Sequence, residues 1–177
     1  MAVQGVGNVG RYVCKNLYEA GMKLIVADVN AEAAAYAVEK FGATAVTPDK
    51  IYSQDVDIFS PCAMGGILND DTIPQLKASI VAGVANNQLA EPRHGRLLYN
   101  KGVLYAPDYV INAGGMLNAS GDIFGQYDIN QVMERVTRLY DATLRIFEMA
   151  KKKNQPTNEV ADDMARQKIA TGRSNKK

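Results

Sequence analysis

The stretch Ala2-Val3-Gln4-Gly5-Val6-Gly7-Asn8-Val9-Gly10 predicts a buried strand that turns sharply into a helix. Its three glycines follow the spacing Gly-x-Gly-x-x-Gly, in which each glycine has a physical task. Gly5 permits the tight turn, Gly7 lets a pyrophosphate approach the backbone, and Gly10 allows the helix to lie close to the sheet. The unpaired N–H groups of the first helical turn would then face this anion.

A second predicted strand covers residues 23–27 and ends at Asp28. This acid lies close to the distance of about 20 residues at which a ribose-binding carboxylate is expected. A carboxylate there would repel a 2′-phosphate, and the next residues, Val29, Asn30 and Ala31, offer no cation. We therefore expect the cofactor to be NAD and not NADP. The alternative is a glycine-rich turn in another kind of α/β domain, with Asp28 acting only as a helix cap.

Size and composition place the chain among ordinary globular proteins. Its 177 residues can bury a sizeable core, and 47% of them are hydrophobic. The net charge of +1 gives no electrostatic basis for binding nucleic acid. Cys14 and Cys62 form no metal-ligand cluster and are expected to be free thiols in a reducing compartment. Without a signal peptide or a membrane-length apolar run, we expect a cytoplasmic protein with no membrane contact.

Strand and helix patterns alternate along the first part of the chain. They predict an α/β fold, a Rossmann-type doubly wound parallel sheet with ligand at the carboxyl ends of its strands. Later strands are expected at residues 44–46, 56–60, 79–84 and 103–106, with a helix at 91–100. Two C-terminal helices follow from residue 128, and Pro156 separates them. The expected organisation is a dinucleotide-binding domain over residues 1–127, with the helices of residues 128–177 packed on it.

Three stretches carry a family resemblance: residues 2–9, 85–89 and 106–115. Together they resemble the NAD-binding domain of the glutamate/leucine/phenylalanine/valine dehydrogenases, and the leucine-type members are the most similar. The segment Asn112-Ala113-Gly114-Gly115 is specific to that family, and the resemblance covers nearly the whole chain. It implies reversible, NAD-dependent oxidative deamination of an L-amino acid to a 2-oxo acid and ammonia.

The resemblance also implies roles for individual residues. The implied cofactor-binding residues are Gly5, Gly7, Asn8, Val9, Asp28, Val29, Cys62, Ala63, Asn86 and Asn112. Amide side chains both donate and accept hydrogen bonds, so Asn86 and Asn112 suit the nicotinamide ribose and carboxamide. The alternative for each asparagine is a turn or cap role.

The implied substrate pocket contains Gly115, Met116 and Ala119. Gly115 leaves room for the nicotinamide ring and the substrate to come close. Leucine-type enzymes usually carry valines where this chain has Met116 and Ala119, so a branched-chain L-amino acid is expected but the exact substrate stays open. Residues 118–122 differ from the Ser-Tyr-Phe-Glu-Trp-like stretch of the glutamate enzymes, which argues against glutamate.

The family's acid/base groups, two lysines and an aspartate, belong to an N-terminal domain whose lysine motif these residues do not contain. The first strand also begins close to Met1 and is expected to be clipped relative to the usual length of roughly 5–6 residues. We therefore expect a missing N-terminal domain, no catalytic residue here, and an inactive chain by itself, with a homo-oligomer as an open option. The alternative function is a stand-alone NAD-binding module without turnover. The lone His94 is expected to be structural, and no metal is expected.

Overall fold

A parallel sheet of six strands organises the computed structural model, which describes residues 1–123 and 128–174. The strands are β1 (Ala2–Gln4), β2 (Ile25–Ala27), β3 (Thr44–Ala45), β4 (Ile58–Pro61), β5 (Ile80–Val81) and β6 (Leu104–Tyr105). They lie in the order β3-β2-β1-β4-β5-β6, which is the order of a doubly wound dinucleotide-binding sheet. The predicted α/β, Rossmann-type fold is confirmed.

Helices join the strands and extend the chain beyond the sheet. They are α1 (Asn8–Glu19), α2 (Ala31–Phe41), α3 (Arg93–Asn100), α4 (Asp108–Ile111), α5 (Gly114–Ile123), α6 (Ile129–Lys153) and α7 (Thr157–Ser174). Local sequence sets their ends. The Asn30 side chain caps α2 by accepting the N–H of Glu32, and Gly42 ends that helix at a φ of 60°. Asp128 caps α6 in the same way, by accepting the N–H of Asn130.

The core has one layer on each face of the sheet. Side chains alternate along β1, so Ala2 packs into a cluster with Phe59 and Leu98, whereas Val3 packs with Cys14 on the opposite face. Burial on both faces is typical of a parallel sheet covered by helices. Because β1 pairs with β2 on one side and β4 on the other, its carboxyl end lies where the strand order reverses.

The two long C-terminal helices pack against each other and against the sheet edge. Ile146 and Ala150 of α6 form a small core with Val160 of α7. At the start of α7, the Thr157 hydroxyl donates to the Tyr105 carbonyl at 2.5 Å and covers part of the outer strand. The apolar side chains of α6 are only partly buried, since Tyr140 on this helix is 69% exposed.

One prediction of local structure was wrong, and two helices had no predicted counterpart. The segment after β6 forms α4 and α5, which are joined at glycine-containing residues. The strand predicted at 79–84 covers only Ile80–Val81. Beyond it the backbone crosses β4 so closely that a Cβ on Gly83 would lie 2.2 Å from the Pro61 carbonyl oxygen. The expected domain boundary at residue 127 lies outside the described residues. No described helix is long and apolar enough to cross a membrane.

Candidate functional site

The glycine turn between β1 and α1 is built as its spacing predicts. Gly5 has a φ of 95°, which side chains disfavour, and its N–H donates to the Ala27 carbonyl at 2.8 Å. A Cβ on Gly10 would lie 2.1 Å from the Gly5 carbonyl oxygen, so α1 can approach the turn only without a side chain at that position. A Cβ on Gly7 would meet no atom within 4 Å. The space in front of Gly7 is therefore open to a ligand.

The N-terminus of α1 faces this open space. Gly7 is its N-terminal cap, and no side chain of a described residue caps the helix there. Asn8 and Val9 form the first turn and are exposed, with Val9 57% accessible. Backbone N–H groups and the positive end of the helix dipole are thus available to an anion. These features fit a pyrophosphate.

Asp28 lies beside the turn, immediately after β2. Its Oδ2 accepts the N–H of Val6 at 2.6 Å, and its Oδ1 accepts the N–H of Asn30 at 2.8 Å. A carboxylate has about four acceptor positions, so these two bonds leave capacity for ligand hydroxyls. Asp28 is not the cap of α2, because Asn30 takes that position; one Asp28 oxygen holds the residue that caps the helix, and the other holds the glycine turn.

A groove of about 940 Å³ runs from Asp28 along α2 to the residues that follow β3. Ala31 and Ala34 form one wall, and Val46 and Thr47 form the other. The sequence did not point to this groove, because Val46 and Thr47 follow a two-residue strand and belong to no motif. Val29 lies next to Asp28 and is 93% exposed, so its side chain packs against no core. The groove has the size and apolar character that suit an adenine ring.

A cation near the turn was also missed. The Arg11 Nε donates to the Val6 carbonyl at 3.3 Å, and its guanidinium lies 4.7 Å from the centre of the Tyr36 ring. The residues directly after Asp28 carry no cation, whereas Arg11 reaches the turn from α1. Both of these contacts hold the guanidinium against the protein.

Cys62 and Ala63 follow β4 and support the turn from the neighbouring strand. The Cys62 N–H donates to the Gln4 carbonyl at 2.7 Å, and a Cβ on Gly5 would lie 2.6 Å from the Cβ of Ala63. The Cys62 thiol lies 3.4 Å from the Ser60 hydroxyl. Burial raises the pKa of this thiol, which keeps it protonated near neutral pH and unsuited to act as a nucleophile.

Asn86 and Asn112 meet at the carboxyl ends of β5 and β6. The Nδ2 of Asn112 donates to the Oδ1 of Asn86 at 2.6 Å, across 26 residues of sequence. This hydrogen bond uses the Nδ2 of Asn112 and the Oδ1 of Asn86. The Oδ1 of Asn112 and the Nδ2 of Asn86 take no part in it. The structure therefore brings together the two side chains that the sequence predicts for the nicotinamide end.

The predicted substrate residues Gly115, Met116 and Ala119 lie on α5, which begins at Gly114, two residues after Asn112. All three are exposed, and Met116 is 77% accessible. They therefore follow Asn112 closely in the sequence, on the next helix. Their role in substrate binding stays a prediction.

His94 is buried on α3, and both of its ring nitrogens face other groups of the protein. Its Nδ1 accepts the N–H of Glu91 at 2.9 Å, and its Nε2 lies 3.5 Å from a carboxylate oxygen of Asp70. Asp70 also forms an ion pair with Arg93, the first residue of α3. The described residues contain no group of three or more His, Cys, Asp or Glu side chains that could hold a metal ion.

Known proteins resemble this chain in sequence and in fold. Residues 26–176 match the family model described as Glutamate/Leucine/Phenylalanine/Valine dehydrogenase. The match covers most of the chain, and the chain belongs to that family. The leucine dehydrogenase of Geobacillus stearothermophilus is 53% identical over 173 residues, which are 98% of this chain and 47% of that protein. An L-tryptophan dehydrogenase of Nostoc punctiforme is 50% identical, over 99% of this chain and 50% of its own length.

Solved structures agree with the fold. The crystal structure of L-tryptophan dehydrogenase from Nostoc punctiforme superposes with a TM-score of 0.92 at 50% identity, covering 96% of this chain and 52% of that one. The hetero-hexameric glutamate dehydrogenase from Thermus thermophilus gives a TM-score of 0.67 at 24% identity, covering 90% of this chain and 43% of the other. The chain thus spans about half the length of the relatives that it matches.

Proposed function

We propose that this chain is the NAD-binding half of an L-amino-acid dehydrogenase of the leucine type. The reaction would be oxidative deamination of a branched-chain L-amino acid to a 2-oxo acid and ammonia. The observation that carries the proposal is the link between Asp28 and the glycine turn, because it holds a carboxylate that would bind the ribose beside an open anion site. Family membership supports a nicotinamide cofactor, and Asp28 supports NAD over NADP.

Each part of the site would hold a different part of the dinucleotide. The N–H groups of Asn8 and Val9 would bind the pyrophosphate, and Asp28 would accept the adenine ribose hydroxyls. Asn86 and Asn112 would orient the nicotinamide carboxamide with their unpaired amide atoms. The chemistry that the nicotinamide supplies when bound is acceptance of a hydride. The protein's contribution here is binding and orientation.

Further proposals concern what completes the enzyme. A second domain would supply the acid/base groups, and residues 1–127 and 128–177 would form the dinucleotide-binding domain and its C-terminal helices. The chain by itself would be inactive, and a homo-oligomer in the cytoplasm is the proposed setting. Gly115, Met116 and Ala119 would border the amino-acid side chain. Named relatives act on leucine and on tryptophan at similar identity, so the substrate needs a direct comparison.

The test is a chimera in which this chain replaces the matching half of the Geobacillus stearothermophilus leucine dehydrogenase. We expect NAD-dependent oxidation of L-leucine and L-valine, faster than that of L-tryptophan and L-phenylalanine. The same chimera with Gly7→Ala is the control, because the added Cβ occupies the space proposed for the pyrophosphate. A preference for L-tryptophan would overturn the leucine assignment. A chimera that binds NAD without any turnover would favour a stand-alone NAD-binding module.

A further inference from the structure

Asp108 has a buried carboxylate at the start of α4, and only 6% of the residue is exposed. Its Oδ2 accepts the backbone N–H of Asn87 at 2.7 Å, and its Oδ1 accepts the Tyr105 hydroxyl at 2.6 Å. Both oxygens are therefore directed into the protein, toward the loop after β5 and the end of β6. Neither bond is needed to form a helix or a strand.

The loop that Asp108 holds is unusual. Asn87 has a φ of 53°, in the left-handed region that residues other than glycine seldom adopt. Its carbonyl accepts the N–H of Gly66 at 2.7 Å, so the loop after β4 holds this residue from the other side. The buried Gln88 side chain donates to the carbonyls of Gly83 and Ala85, at 2.7 and 3.0 Å. Asn87 is thus fixed between its neighbours.

The second asparagine of the pair lies one helical turn after Asp108, at the end of the short helix that Asp108 begins. The backbone carbonyl of Asp108 accepts the N–H of Asn112 at 2.9 Å, at the end of α4. The carboxylate of the same residue holds Asn87, the immediate neighbour of Asn86. The side-chain amides of Asn86 and Asn112 meet at 2.6 Å. Asp108 thus lies between them along the structure, since its carboxylate holds the loop of Asn86 and its helix ends at Asn112.

We propose that Asp108 is a positioning residue that sets Asn86 against Asn112 and so prepares the nicotinamide end of the cofactor site. This inference rests on the proposed function. Without the carboxylate, the Asn87 N–H loses its partner and the loop can leave its left-handed conformation. The glycine turn and Asp28 lie on other strands and do not depend on Asp108. The expected effect is thus confined to the nicotinamide half.

The test compares NAD with ADP-ribose, which has the same adenine, riboses and pyrophosphate but lacks the nicotinamide ring. Calorimetry on the full chain measures both affinities for the wild type and for Asp108→Leu, Asp108→Asn and Tyr105→Phe. Leucine removes both acceptors with little change in size. Asparagine can still accept the Asn87 N–H and donate to the Tyr105 oxygen, so it should restore binding. Tyr105→Phe is the matched control, because it removes only the second partner of Asp108.

We expect Asp108→Leu to weaken NAD binding by about tenfold while ADP-ribose affinity stays at the wild-type value. Asp108→Asn and Tyr105→Phe should bind NAD like the wild type. Equal losses for both ligands, or no loss for NAD in a folded Asp108→Leu chain, would overturn the inference. If Asp108→Leu does not fold, failure of Asp108→Asn to keep the wild-type ratio of affinities would overturn it instead. A wild-type chain that binds neither ligand would refute the proposed function, and the inference with it.

Discussion

The Oδ2 atom of Asp28 lies 2.6 Å from the backbone nitrogen of Val6 and accepts its hydrogen bond. The other carboxylate oxygen accepts the N–H of Asn30, so one side chain joins the end of β2, the glycine turn and the start of α2. Asp28 therefore has a structural role in addition to the ligand role that its position predicts. Its replacement should change the turn as well as the ribose site.

Asp28→Ser should reduce the preference for NAD over NADP and also weaken NAD binding. The preference falls because the charge that repels a 2′-phosphate is lost, and the affinity falls because the Val6 N–H loses its charged acceptor. Calorimetry with both cofactors gives the two affinities. Asp55→Ser is the control, since it removes the same charge from an exposed residue before β4. An unchanged ratio of affinities in Asp28→Ser would contradict the ribose assignment.

Gly7→Ala and Gly10→Ala should separate binding from stability. A Cβ on Gly7 meets open space, so we expect an unchanged melting temperature and NAD affinity lowered by about tenfold. A Cβ on Gly10 would overlap the Gly5 carbonyl oxygen, and should destabilise the fold by about 1–3 kcal/mol. Thermal unfolding and NAD titration of both variants provide the comparison. Full NAD affinity in Gly7→Ala would place the pyrophosphate elsewhere.

The features that sequence predicts best depend on near neighbours. The turn at Gly5, the cap at Asn30 and the end of α2 at Gly42 each follow from a residue type and its immediate context. The meeting of Asn86 with Asn112 follows from parallel strands that end at one edge. The sequence could not reveal the Asp108 contact to Asn87, because it depends on side-chain orientations that tertiary packing sets.

Stability should fall in alkali partly through Cys14. Burial raises the pKa of this thiol to about 11 from an ordinary value of 9.0. The folded chain then keeps a proton that the unfolded chain releases, so the free energy of unfolding decreases between about pH 9 and 11, by up to about 2 kcal/mol. Urea unfolding across this range should show a steeper loss in the wild type than in Cys14→Ala.

The comparison with Cys14→Ala is necessary because other buried groups act in the same direction. Burial also raises the pKa of Tyr105, so both proteins lose stability at high pH. The difference between the two proteins in the slope of unfolding free energy against pH gives the contribution of the Cys14 thiol. Parallel slopes would show that Cys14 titrates at its ordinary pKa in the folded chain.

The purified chain should not oxidise L-leucine, L-valine or L-phenylalanine at a useful rate. The resemblance assigns the acid/base groups to a separate domain, and loss of such groups typically costs about 10²–10⁴-fold. Loss of the second wall of the cleft removes substrate orientation as well. The measurement is NADH formation by the chain alone and after addition of a separately expressed N-terminal half of a relative. Robust turnover by the chain alone would show that catalytic residues lie among those described.

We expect this chain to bind NAD at the glycine turn and Asp28. Calorimetric titration of the purified chain with NAD and, separately, with NADP tests it most directly. We expect one saturable NAD site per chain and weaker binding of NADP, because the Asp28 carboxylate beside the turn would accept ribose hydroxyls and repel a 2′-phosphate. No saturable binding of NAD, or tighter binding of NADP, would contradict it.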